Sequence, residues 1–105
     1  MIEQVIFKNL VLSDEYSRKV IPFLDDDYFS DNGDKIVLGI YKNYLNTYNT
    51  IPSVATLQIE IENSNGITQQ NYESAIKSLN AIDASSEKDE LQWVLDKTEE
   101  FCQSK

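Results

Sequence analysis

The residues that could do chemistry in this chain are mainly carboxylates. The sequence has eighteen Asp and Glu residues, no histidine, and a single cysteine, Cys102. Without histidine, the chain lacks the usual general base at neutral pH, the histidine-dependent nucleophile systems and most zinc sites. Cys102 falls on the apolar face of a predicted helix, which favours a buried structural thiol over a nucleophile.

The acidic segment from Asp25 to Asp34 invites comparison with a calcium-binding loop. If Gly33 takes the sixth position of such a loop, the first position falls on Tyr28 and the twelfth on Gly39. Those two positions require an Asp and a bidentate Glu, so the segment does not fit the pattern. Helix capping and solvation account for these carboxylates, and the sequence predicts no metal site.

The sequence also lacks a loop that could cradle a nucleotide. Gly33, Gly39 and Gly66 stand alone, and neither a GxxxxGK[ST] nor a GxGxxG pattern occurs. Adjacent carboxylates such as Glu99 and Glu100 diverge on a helix and predict a solvated face. We therefore expect no catalytic and no cofactor-binding residue, and no enzymatic activity from this chain alone.

The net charge of −9 bears on the kind of partner. An acidic surface repels phosphate backbones, and the nine basic residues are spread along the chain, so direct DNA binding is not expected. Two interpretations stay open: the charge serves solubility alone, or it forms an acidic face for a basic protein partner.

The lone cysteine excludes an internal disulfide and fits a reducing cytoplasm. The first residues lack the basic start and long apolar run of a signal peptide. No apolar run approaches the roughly 18 residues needed to span a membrane. The sequence thus predicts a cytoplasmic protein without a membrane partner.

Hydrophobic periodicity predicts an all-α, compact single domain of about six helices. Ser13, Ser53 and Thr68 are candidate N-caps. The segment from Leu57 to Ile61 also alternates as a strand would, but no partner strand is available, so a helix is favoured. The predicted helices cover about residues 2–11, 14–21, 34–48, 53–63, 69–82 and 87–105, with a short capped turn near 25–29.

Two of these helices have unusual features. The third places Gly39 in its interior, where glycine lowers helix stability by roughly 1 kcal/mol relative to alanine. Close approach by another helix could offset this cost. The last helix carries an apolar stripe through Leu91, Val94 and Leu95 and reaches Lys105 without a Gly or Pro stop signal. We therefore expect the native protein to continue into further helical sequence.

Four blocks of sequence, in order and starting near Met1, carry a family resemblance. Together the blocks span nearly the whole chain, and their order makes the match specific. They are Leu10–Tyr16; Lys19–Leu24 followed by Tyr28 and Phe29; Tyr44–Ile61, including Tyr48–Ser53; and Leu91–Gln103. The chain resembles the N-terminal domain of DnaB-type replicative DNA helicases, in the form found in T-even-like phages.

The resemblance implies that residues 1–105 form an all-α collar and partner-binding domain. Its last helix, 87–105, would run into a linker to an absent ATPase domain. The implied partners are further copies of the chain in a hexameric helicase, the primase and the helicase loader. ATP and Mg²⁺ are expected only in the absent C-terminal domain, so only the full-length protein would be an ATP-dependent helicase.

Four aromatic residues are candidates for a protein interface: Trp93, Phe101, Tyr48 and Tyr16. Trp93 lies about 100° or more off the apolar stripe of its helix, which fits either an exposed anchor or a core contact with a neighbouring helix. Phe101 would meet a continuation of the chain or a neighbouring subunit if the last helix frays. Tyr16 and Tyr48 fit a core edge as well as an interface.

A second function remains open from the sequence. A complete small phage protein that mimics this helicase domain, and so binds replication proteins, would show the same blocks. Such a protein would need no ATPase domain.

Overall fold

The computed structural model describes every residue from Met1 to Lys105, and it contains six α-helices and no strand. The all-α fold predicted from periodicity is confirmed. The helices are α1 (Ile2–Leu12), α2 (Asp14–Val20), α3 (Asn32–Tyr48), α4 (Val54–Glu62), α5 (Gln69–Asn80) and α6 (Leu91–Gln103). Two 3₁₀ turns, Ile21–Phe23 and Asp26–Tyr28, connect α2 to α3.

The helices form two groups around one core. In one group α3 packs on α5, and α4 contacts both of them. In the other, α1 packs on α2, and α6 lies against both. The second 3₁₀ turn contacts α3, so the connection between α2 and α3 also joins the two groups.

Three predicted N-caps begin their helices as expected. Ser13, Ser53 and Thr68 each accept a hydrogen bond from the backbone N–H three residues later, at 3.1 Å. Each hydroxyl satisfies one of the backbone donors that a helix leaves free at its start. The segment from Leu57 to Ile61, whose alternation also fitted a strand, is helical. Leu57 and Ile61 are buried on one side of α4, and Ile59 is exposed on the other.

Helix α3 begins two residues before the predicted Asp34. The side chain of Asp31 accepts hydrogen bonds from the backbone N–H groups of Gly33 at 2.7 Å and Asp34 at 3.2 Å, so it is the N-cap. The Asp-Asn-Gly sequence, which is typical of a turn, is here the first turn of a helix.

Helix α6 begins at Leu91 rather than at residue 87. The side chain of Glu90 caps it by accepting a hydrogen bond from the Trp93 backbone N–H at 2.7 Å. Just before the cap, Asp89 is held by Asn9 of α1: the backbone N–H of Asp89 donates to Asn9 Oδ1 at 2.9 Å, and Asn9 Nδ2 donates to the Asp89 carboxylate at 2.8 Å. These two bonds hold the segment before α6 against α1.

Aromatic packing in the core holds the connection between α2 and α3 against α1 and α6. The Phe29 side chain is fully buried, and its ring lies 5.3 Å from that of Phe7 and 5.1 Å from that of Phe101, centroid to centroid. Both pairs are tilted, at separations in the favourable range for aromatic contacts. Phe29 therefore connects the first and last helices through a residue that belongs to neither.

Two buried tyrosines direct their hydroxyl groups to polar partners. Tyr16 and Thr98 share a hydrogen bond of 2.6 Å, which joins α2 to α6. Tyr41 donates to the Leu10 carbonyl at 2.5 Å, and its oxygen shares a second hydrogen bond of 2.7 Å with the Ser17 hydroxyl. Burial raises the pKa of Tyr16 well above its ordinary value and that of Tyr41 to about 12, so both stay neutral donors at physiological pH.

Close helix approach occurs at Gly33, whereas at Gly39, where it could offset the cost of an interior glycine, it is absent. A Cβ atom at Gly33 would lie 2.2 Å from the backbone oxygen of Ser74 and 2.6 Å from Ser78 Oγ on α5. At Gly39, the nearest atom would be a carboxylate oxygen of Asp26, at an ordinary 3.6 Å. Only Gly33 is therefore required by packing.

These two glycines predict opposite effects of alanine. Gly33→Ala is expected to lower the free energy of unfolding by about 1–3 kcal/mol, because α3 and α5 must separate. Gly39→Ala is expected to raise it by about 0.5–1 kcal/mol through helix propensity. Urea unfolding followed by circular dichroism measures both, and a Gly33→Ala variant as stable as the wild type would contradict the packing.

Candidate protein-interaction surface

The structure separates the four predicted interface residues into two exposed and two buried ones. Trp93 is 45% exposed and Tyr48 is 60% exposed, whereas Tyr16 is fully buried and Phe101 is 6% exposed. The two buried residues pack inside the core. The surface of the folded chain therefore presents only Trp93 and Tyr48 of this set.

Trp93 lies in the first turn of α6, on the side that faces solvent. Its backbone N–H donates to the Glu90 cap at 2.7 Å. The preceding residue, Gln92, donates through Nε2 to the carboxylate of Asp96, one turn later, at 2.8 Å. Lys97 lies four residues after Trp93 and pairs with Glu100 at 3.5 Å. The exposed indole thus sits on a helix with fixed geometry among acidic side chains, an arrangement that suits an anchor in a protein interface.

Tyr48 lies at the C-terminal end of α3. Its ring packs on that of Tyr44, one turn earlier, with the centroids 4.7 Å apart. Asn49 ends the helix in the left-handed conformation, and the Arg18 guanidinium donates to its side-chain and backbone oxygens at 2.7 and 2.8 Å. The helix end is therefore held in place, and Tyr48 projects from it into solvent.

Phe101 was expected to reach an interface if the last helix frays. In the folded chain it lies in an intact helix and is buried. Its ring packs on Phe29, and the Lys105 ammonium lies 4.8 Å from its centroid. Cys102, the next residue, is partly buried, and burial raises the pKa of its thiol. Such a thiol is less reactive than a free one, which agrees with the structural role expected for it.

Apart from Met1 at the chain start, two exposed large apolar residues were not among the sequence candidates. Phe23, in the first 3₁₀ turn, is 50% exposed, and Ile59 of α4 is 56% exposed. The strand-like alternation of residues 57–61 was a signal that Ile59 departs from the helical stripe. For Phe23 the signal was weaker: Pro22 precedes it and three Asp residues follow soon after, so it lies in a short turn with little room to bury a ring.

The carboxylates are distributed over the surface. No three or more His, Cys, Asp or Glu side chains lie together in an arrangement that could hold a metal ion. No helix is long and apolar enough to cross a membrane. The surface presents charged side chains and exposed aromatic rings, of the kind found in protein interfaces.

No family model matches the chain, but comparison with known proteins finds a relative. Over 102 residues, or 97% of its length, the chain is 30% identical to a protein of Enterobacteria phage T4. The chain is similar to a DnaB-like replicative helicase. The match spans 21% of the T4 helicase, so it covers one part of that protein. The resemblance drawn from the four sequence blocks is confirmed at this level.

Proposed function

We propose that this chain is a non-catalytic domain of a phage replicative helicase, which supports hexamer assembly and the docking of primase and helicase loader. The observation that carries the proposal is the similarity to the T4 DnaB-like helicase across almost the entire chain. An acidic all-α domain without a nucleotide loop fits an assembly role better than a motor role. ATP and Mg²⁺ would bind in a part of the helicase outside these residues.

The oligomeric mass provides the first test. Light scattering on this chain and on the full gene product, the latter with an ATP analogue, is expected to give a monomer or dimer for the chain and a hexamer for the gene product. A gene product that ends at Lys105 and stays monomeric would contradict the proposal. It would favour the alternative, a small phage protein that mimics the helicase domain and binds replication proteins.

Trp93 provides a residue-level test of the same proposal. Trp93→Ala in the full gene product is expected to weaken at least one of three interactions by about tenfold or more: hexamer formation, primase binding or loader binding. Sedimentation and surface plasmon resonance measure these interactions. The free energy of unfolding should change little, because the indole is already half-exposed.

Ile59→Ala is the matched control for Trp93→Ala, since Ile59 is similarly exposed but lies on α4. We expect it to leave all three interactions within about twofold of wild type. If Trp93→Ala behaves like this control, the Trp93 face of α6 is not an interface. The same pair of measurements with Tyr48→Ala tests the end of α3.

A further inference from the structure

An open groove of about 620 Å³ lies where the two 3₁₀ turns reverse the chain between α2 and α3. The half-exposed ring of Phe23 and the exposed ring of Pro22 form an apolar shelf in it. The remaining walls come from Asp25–Asp27, Tyr28 and Lys42 of α3. We refer to this feature as the Phe23 groove.

The Phe23 groove has a fixed backbone. Leu24 and Phe29, on either side of the acidic turn, are 1% and 0% exposed and hold it to the core. Between them, the backbone N–H groups of Tyr28 and Phe29 donate to the carbonyls of Asp25 and Asp26 at 3.0 and 3.2 Å. A surface that is ordered before binding loses little conformational entropy when a partner docks.

The charges of the groove are only partly compensated. Asp26 pairs with Lys42, with the carboxylate oxygen 2.9 Å from Nζ. Asp25 caps the second 3₁₀ turn by accepting from the Asp27 backbone N–H at 2.8 Å, but neither Asp25 nor Asp27 forms a salt bridge. Two exposed carboxylates therefore flank an apolar shelf, with no cation of the chain to neutralise them.

The geometry points to the Phe23 groove as a docking site for a segment of another protein that carries arginine next to an apolar residue. A guanidinium group can bind a carboxylate with two hydrogen bonds and can stack on an aromatic face. Asp25 or Asp27 would accept these bonds, while Phe23 provides the ring. The neighbouring apolar residue of the segment would cover the part of the shelf that now faces water.

Charge also argues against other occupants. A second copy of this chain, at −9, would be repelled, and so would a nucleic acid. A bare metal ion lacks the ligands, because one of the three carboxylates is engaged by Lys42 and no metal-binding cluster forms. A basic and partly apolar peptide segment satisfies both features of the groove at once.

This inference concerns a surface distinct from Trp93 and Tyr48, and it holds or fails without the helicase assignment. The test uses the 105-residue chain and a short synthetic peptide in which two arginines flank a leucine, labelled with a fluorophore. Fluorescence anisotropy at neutral pH measures its affinity for the wild type and for the variant Asp25→Asn/Asp27→Asn. Asparagine retains the capping oxygen at position 25, so this variant loses charge without losing the turn.

The matched control is Asp96→Asn/Glu99→Gln, which removes the same charge from the exposed side of α6. We expect the groove variant to weaken peptide binding by at least about tenfold and the control by less than about twofold. Phe23→Ser should also weaken binding, and exchange of arginine for lysine in the peptide should lower its affinity. Amide chemical shifts should change in residues 22–28.

Several results would overturn the inference. Equal weakening by the groove and control variants would mean that net charge alone attracts the peptide. Absence of binding by the wild type, equal affinity for the lysine peptide, or shift changes elsewhere would each remove the groove as the site. Tight binding of calcium alone by residues 25–27, or a dimer that Phe23→Ser dissociates, would assign the groove to a different occupant.

Discussion

Replacement of Phe29 by alanine is expected to lower the free energy of unfolding by about 3–5 kcal/mol. The ring is fully buried between Phe7 and Phe101, so its removal leaves a cavity where α1, α6 and the turn before α3 meet. It also removes both aromatic contacts. Since small domains are stable by only about 5–15 kcal/mol, the variant is expected to be marginally folded at best.

The measurement is urea unfolding followed by circular dichroism, with Phe23→Ala as the matched control. Phe23 is half-exposed, so its truncation should lower the free energy of unfolding by no more than about 1 kcal/mol. If Phe29→Ala does not fold, Phe29→Leu keeps most of the volume and should lose less stability. Equal losses for the two alanine variants would contradict the central position of Phe29.

Replacement of Asn9 by alanine is expected to lower the free energy of unfolding by about 2–3 kcal/mol. Asn9 is fully buried, and its side chain makes three hydrogen bonds: one to the Val5 carbonyl at 2.8 Å and two with Asp89. Without it, the Asp89 backbone N–H loses its acceptor and the segment before α6 loses its anchor on α1. Asn43→Ala, on the exposed side of α3, is the control and should change stability by less than about 0.5 kcal/mol.

The loss caused by Asn9→Ala should depend on pH. The Asn9 amide, and next the Lys8 ammonium at 2.9 Å, hold the pKa of Asp89 below its ordinary value. A carboxyl with a lowered pKa in the folded state stabilises the fold above its unfolded pKa of about 3.9, and this contribution disappears as the pH falls through the folded pKa. The difference between wild type and Asn9→Ala should therefore be largest at neutral pH and shrink below about pH 4. A difference independent of pH would mean that the charge of Asp89 plays no part.

Three helix starts at Ser or Thr caps could be predicted from the sequence, whereas the starts of α3 at Asp31 and of α6 at Glu90 could not. Ser13, Ser53 and Thr68 act through a backbone group three residues away, so the signal lies within the helix itself. The start of α6 depends on Asn9, which is eighty residues distant from Asp89 in sequence. The hydrophobic pattern of residues 87–91 gives no indication of the hydrogen bonds between Asn9 and Asp89.

The candidate interaction surface could likewise be predicted only where local sequence determines it. The helical period placed Trp93 off the apolar stripe of α6, but whether the indole is covered depends on which helices pack beside it. Tyr16 could not be assigned to the core from its own helix, because its hydroxyl is satisfied by Thr98 of α6. The Phe23 groove depends on two consecutive 3₁₀ turns, whose geometry the sequence indicates only as one short capped turn.

The hydrogen bonds that join α1 and α2 to the segment from Asp89 to Thr98 also bear on when the domain can fold during synthesis. Asn9 and Tyr16 find their partners eighty and eighty-two residues later, whereas α3, α4 and α5 follow one another directly. Closing so long a loop before any contact is gained is slow and entropically unfavourable. On the ribosome, α3–α5 can therefore associate before α6 is synthesised, whereas Asn9 and Tyr16 gain these partners only afterwards.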